Sequence, residues 1–125
     1  MRLVTGIGGL FFRAKDPAGL KQWYADQFDI TVTPNNYDDP PWRTDAGTTV
    51  FEPFPADTDY FGDRDKAWML NLRTCDLDAL VERLRRSGVA VEVDPRAFPN
   101  GRFARLVDPE GNPIELWEPS GEDPG

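Results

Sequence analysis

One short pattern occurs twice in this chain. Arg13, Asp16 and Leu20 recur 60 positions later as Arg73, Asp76 and Leu80, and TVFEP (49–53) returns as ELWEP (115–119) at an offset of 66. A chain made of two copies of one unit folds in ways that use that unit twice. The duplication therefore narrows the architecture more than any compositional figure does.

Each copy carries one helix signature. In DPAGLKQWYADQF, Asp16 suits the N-cap and Pro17 the first helical position, and Leu20, Trp23, Tyr24 and Phe28 follow at helical spacing. In DLDALVERLRRSG, Asp76 caps, Leu77, Leu80, Val81 and Leu84 form an apolar stripe, and Gly88 suits the left-handed stop. Arg83, Arg85 and Arg86 are most simply the solvated side of that helix. Strand patterns flank both helices: GLFFRA, DITVT, WRTD and TTVFE around the first, and MLNLRT, VAVEV, RFARLV and PIELWE around the second. DPEGN joins the last two as a hairpin loop, with Pro109 set for a turn and Gly111 free to take positive φ.

Each half thus reads β-α-β-β-β. The expected fold class is α+β, with two tandem modules forming one curved mixed sheet and the helices on its outer face. The chain forms a single domain over 1–125: module one at about 5–53, a connector at 54–66, module two at about 67–119 and a loose tail at 120–125. Two unrelated halves of an ordinary α+β domain are the alternative.

Strand alternation sorts side chains onto two faces. Leu10, Phe12, Val50, Leu70, Leu72 and Leu116 fall on the face expected under the helices. The other face collects Gly9, Phe11, Arg13, Thr49, Phe51, Met69, Asn71, Arg73, Glu115 and Trp117. Apolar walls with a few polar handles suit a small-molecule pocket, although residues such as Phe11, Phe51, Met69 and Trp117 are more often core than ligand platform. Glu115 has three readings: a structural ion pair with Arg13 or Arg73, a handle for a ligand amine or hydroxyl, or a general acid or base. The face taken by Arg105 depends on the turn type of the hairpin and stays open. Tyr60 and Phe61 lie in PFPADTDYF, which is either a plain connector or a segment folded over the face or into a dimer contact. Tyr37 and Trp42 are loop aromatics that patch the core or rim the pocket.

Composition removes several functions. The formal charge of −8, from 14 basic and 22 acidic residues, opposes nucleic-acid or anionic-membrane partners. Histidine is absent, which excludes a Ser-His-Asp triad, a Cys-His pair and any His-ligated metal. Cys75 is the only cysteine, so no intrachain disulfide forms, and inert packing is its simplest role. With no spanning apolar run and no signal-peptide pattern, a cytoplasmic location is expected.

Three stretches, FFRAKDPAGLKQWYADQFDI, LNLRTCDLDALVERLRRSGV and above all DPEGNPIELWEP, resemble the vicinal-oxygen-chelate superfamily over residues 5–119. That superfamily includes glyoxalase I, extradiol dioxygenases, fosfomycin-resistance enzymes and bleomycin-binding proteins; the chain looks most like its small glyoxalase-like members. The resemblance implies a homodimer. It also implies metal ligands on the first and last strand of each module, at positions that here fall on Gly9, Thr49, Met69 and Glu115. Only Glu115 is a ligand type, and a divalent ion takes three or four. No cofactor is therefore expected, and a divalent metal is disfavoured.

The expected function is metal-free binding of a small aromatic or amphipathic organic molecule, as in the bleomycin-binding members. The enzymatic alternative is a glyoxalase-type lyase or isomerase with Glu115 as general base and Arg13 or Arg73 stabilising an enolate. It contains a conflict: the base needs a raised pKa, which a neighbouring arginine would lower. A purely structural dimeric interaction module is the third possibility.

Overall fold

A computed structural model of the chain describes residue 3, residues 7–31 and residues 41–120. Helix α1 (Pro17–Phe28) begins where Asp16 accepts the Gly19 N–H at 3.1 Å, with Pro17 in the first turn. Gly19 makes room for that cap, since a Cβ there would sit 2.3 Å from the Asp16 carboxylate. The helix ends on Asp29, a non-glycine residue at φ 58° whose N–H returns to Ala25 O. A carboxylate at a helix C-terminus opposes the helix dipole. Arg83 neutralises it, donating to Asp29 at 3.1 Å and to the Asp26 carbonyl at 3.0 Å.

Strand β1 (Leu70–Arg73) leads into α2 (Leu77–Arg86), which Asp76 caps by accepting the Ala79 N–H at 3.1 Å. The end of α2 is a Schellman stop: Gly88 at φ 84° donates to Arg85 O, and Val89 donates to Leu84 O. Leu77, Val81 and Leu84 are buried along one face. Two of the three arginines do more than line a solvated edge. Arg83 caps α1, and Arg85 donates to the Val91 carbonyl at 2.9 Å.

β2 (Glu92–Val93), β3 (Gly101–Val107) and β4 (Pro113–Pro119) complete a four-stranded sheet of order β1-β4-β3-β2. β1 lies parallel to β4, and the other pairs are antiparallel, so the fold is α+β with a mixed sheet. Ala104, Leu106, Ile114 and Leu116 face the helices and share one core with Leu20, Tyr24, Leu77, Val81 and Leu84. Leu77, Leu84, Ile114 and Leu116 are almost fully buried, each contributing roughly 1.5–3 kcal/mol of transfer free energy.

The first repeat departs from the expected pattern. Its helix forms and packs into the second repeat's core, but among the described residues GLFFRA, WRTD and TTVFE form no strand. Strand order depends on a neighbour's backbone groups, and none of these segments enters a ladder. Leu10, Phe12 and Val50, expected beneath the helices, are instead 51%, 41% and 64% exposed. DITVT runs outside the described residues after position 31, as do Tyr37 and the tail after Ser120. No helix among the described residues is long and apolar enough to cross a membrane.

Candidate functional site

The loop between β3 and β4 sets which residues of the two strands stand opposite each other. Asp108 is only 3% exposed and accepts from Tyr24 Oη at 2.8 Å, the Glu110 N–H at 2.8 Å, the Asn112 N–H at 3.0 Å and Asn112 Nδ2 at 2.7 Å. Burial, followed by Asp108, drives the Tyr24 phenol far above its ordinary pKa, so it remains a donor. The Glu110 carboxylate accepts the Lys15 and Asp16 N–H groups, and Lys66 Nζ donates to Glu110 O and Asn112 Oδ1. One five-residue loop, with Gly111 at φ 81°, thus ties together the start of α1, the end of the connector and the hairpin. It fixes a register in which Arg105 stands opposite Glu115 and Phe103 opposite Trp117.

These four side chains occupy the sheet face turned away from the helices, with Asn71 beside them on β1 opposite Glu115. The Glu115 carboxylate accepts a hydrogen bond from Tyr60 Oη on one oxygen and from the Asn71 amide, at 2.8 Å, on the other. The Arg105 guanidinium lies 4.4 Å above the Tyr60 ring and donates to the Tyr60 carbonyl at 2.9 Å. Phe54 stacks on the same ring at 5.9 Å and meets Phe61 at 5.2 Å. Burial, together with the Glu115 carboxylate, pushes the Tyr60 phenol up to about 12, so it is a proton donor throughout the physiological range.

Aromatic rings continue along the face. Phe103 and Trp117 are parallel within 3° at a centroid distance of 6.4 Å, and Phe98 meets Phe103 edge-on at 5.9 Å. Trp117 is 6% exposed, and its Nε1 donates to Asn100 O at 2.8 Å. Gly101 at φ 136° permits this packing, because a Cβ there would lie 2.8 Å from Trp117 Nε1.

The expected site residues divide into two groups. Asn71, Glu115 and Trp117 share the face, with half-buried Met69 just before β1. Arg73 donates instead to the Asp45 carbonyl at 2.9 Å and lies against Gly47. The expected Glu115 ion pair with Arg13 or Arg73 is thus replaced by hydrogen bonds from a phenol and an amide. Phe11 and Phe51 are 94% and 84% exposed, Arg13 and Thr49 are also exposed, and among the described residues no hydrogen bond or ring contact joins them to Glu115. Among the described residues these segments form no strand, so alternation does not set which way their side chains face. Cys75 is exposed rather than packed.

Tyr60, Phe103 and Arg105 were not among the expected site residues. For Phe103 and Arg105 a signal exists: closing DPEGN as a five-residue loop places residue 105 opposite 115 and 103 opposite 117. For Tyr60 the sequence leaves two readings, a plain connector or a segment folded over the face, and it is the second that the contacts with Glu115 and Arg105 match.

The four family ligand positions do not suit a metal. Gly9 has no donor, Met69 offers a thioether, Thr49 a neutral hydroxyl, and both Glu115 oxygens already accept hydrogen bonds. Among the described residues no three His, Cys, Asp or Glu side chains group so as to hold a metal ion. Two clefts, of about 410 and 350 Å³, open beside α2 rather than over Glu115. The Glu115 face itself is occupied by the Tyr60 segment.

Comparison with known proteins fits this geometry. A family model described as a glyoxalase-like domain matches residues 9–117. The chain is similar to TnmS3, an antibiotic binding protein from Streptomyces sp. CB03234, at 25% identity over 96% of this chain and 100% of that one, with a TM-score of 0.62. It has the fold of a glyoxylase/bleomycin resistance protein/dioxygenase domain from Frankia sp. EAN1pec, at 18% identity over 94% and 99% of the two chains, TM-score 0.57. It also has the fold of the fosfomycin resistance protein FosX from Listeria monocytogenes, at 15% identity over 92% and 94%, TM-score 0.52. No curated protein matches the sequence.

Proposed function

The chain belongs to the glyoxalase-like domain family within the vicinal-oxygen-chelate superfamily, and from that premise we propose that it binds a small aromatic or amphipathic organic molecule, without a metal, on the sheet face that carries Glu115. One observation carries this reading: Glu115 holds an aromatic hydroxyl while Arg105 covers the ring that bears it. A carboxylate beside stacked aromatic rings offers both orientation and apolar contact to an organic guest. The antibiotic-binding relative supports it, since that protein aligns over its whole length with 96% of this chain. Binding needs no positioned base, so the lack of histidine does not weaken it.

The tandem β-α-β-β-β arrangement belongs to the same proposal. The exposed apolar side chains of the first repeat, Leu10, Phe11, Val50 and Phe51, suit a surface covered in a homodimer. Phe11, Arg13, Thr49 and Phe51 would then join Met69, Arg73 and the Glu115 group around the ligand.

Thermal unfolding with and without a panel of small aromatic compounds tests the reading. A ligand at 100 times its Kd stabilises the native state by about 2.7 kcal/mol. A compound that raises the midpoint of the wild type and leaves that of Glu115→Ala unchanged supports it. Equal stabilisation of both proteins, or of neither by any compound, contradicts it.

A further inference from the structure

The 54–61 segment crosses the sheet face, and the way Tyr60 is held identifies the chemistry that face prefers. Three interactions converge on one phenol. The Glu115 carboxylate accepts its hydroxyl, the Arg105 guanidinium covers one ring face at 4.4 Å, and Phe54 stacks at 5.9 Å. Asn71 occupies the other Glu115 oxygen at 2.8 Å, so the oxygen that accepts from Tyr60 is the one a competing donor would take. Each contact recognises a different part of a hydroxylated aromatic ring. An aliphatic alcohol would satisfy Glu115 alone, a carboxylate would be repelled by it, and an unsubstituted ring would leave the oxygen that Tyr60 now occupies without a donor.

Tyr60 is not part of the buried core, and what holds it is the sheet face and its own segment. It is half-buried, it lies outside every strand and helix, and its neighbours Asp59 and Gly62 are exposed. The strands that carry Glu115 and Arg105 are held by their own ladder and by the Asp108 loop, independently of Tyr60. The groups that take the hydroxyl and cover the ring, Glu115, Asn71 and Arg105, are therefore on strands, whereas Tyr60 and the stacking Phe54 lie together on the loop.

We propose that Tyr60 is an internal stand-in for the ligand, and that the site selects hydroxyaryl compounds, which displace Tyr60 and place their own phenolic hydroxyl on Glu115 beneath Arg105. This rests on the small-molecule reading of the same face and adds the ligand class and the competition with Tyr60.

Naphthol and its methyl ether, titrated separately by calorimetry, form the test. The wild type should bind naphthol saturably and prefer it to the ether by about tenfold, the scale of one hydrogen bond to a charged group. Tyr60→Ala, which removes the competitor, should bind naphthol at least about tenfold more tightly. Tyr60→Phe, which preserves the ring and so the packing, should fall between them. Glu115→Leu should bind both compounds equally, and Glu115→Gln should keep part of the preference. Binding by Tyr60→Ala but not by the wild type would overturn the inference, making Tyr60 ordinary packing with an engineered hole behind it. Equal binding of naphthol and ether by the wild type would also overturn it while leaving the small-molecule reading intact. Failure of naphthol, its ether and every other aromatic compound to bind any of these proteins would overturn both.

Discussion

Glu115 sits where the chemistry is densest, between a phenol and an amide that both donate to it. Removing one donor isolates its contribution. Tyr60→Phe should destabilise the fold by about 1 kcal/mol, the net worth of a hydrogen bond in a partly wet site, measured by urea unfolding. The effect should depend on pH in one direction. The folded Tyr60 phenol titrates at about 12, above its ordinary 10.0. The unfolded chain therefore ionises first, and the hydrogen bond's contribution is full below pH 10 and fades as pH rises through about 12. Because burial as well as Glu115 disfavours the phenolate, the advantage of wild type over Tyr60→Phe should shrink over that window, and a constant gap would contradict the assignment. The donor set makes a second prediction at this scale. Protein purified without chelator should carry much less than one equivalent of metal by elemental analysis, and a stoichiometric ion lost in Glu115→Ala would reverse the reading.

Among the elements, the β3–β4 hairpin governs the site because its loop fixes register. Asp108→Ala would strand buried donors from Tyr24, Glu110 and Asn112, and it should cost about 3 kcal/mol or more. Asp108→Asn, which keeps some acceptor capacity, should cost less. At the end of α2, Gly88 adopts φ 84°, so Gly88→Ala should cost about 1 kcal/mol. Both are read from equilibrium unfolding. The caps at Asp16 and Asp76, the stop at Gly88 and the turn at Gly111 were legible in the sequence, because each is a property of a few adjacent residues. Arg83 was not, because its partners on α1 lie 54 and 57 positions away. Tyr60 meets Glu115 across 55 residues for the same reason. Alternation placed Asn71, Glu115 and Trp117 on one face correctly, because period two holds wherever a ladder forms. It misplaced Leu10, Phe12 and Val50, where no ladder forms among the described residues.

For the whole molecule, one core supports both helices and the sheet, so damage there should be global. Leu84→Ala, at a fully buried position, should cost about 2–5 kcal/mol and lower the midpoint for the site and the helices together. The exposed apolar residues of the first repeat predict a dimer by light scattering, weakened by Phe11→Ser with Phe51→Ser; a monomeric wild type would remove the dimer from the proposal. The site's location is tested most directly by an amide NMR titration with naphthol. Ligand binding at the Glu115 face predicts saturable shifts concentrated on Tyr60, Asn71, Phe103, Arg105, Glu115 and Trp117. Shifts confined to the clefts beside α2, around Val81, Arg85 and Leu80, or no saturable shift at all, would contradict it.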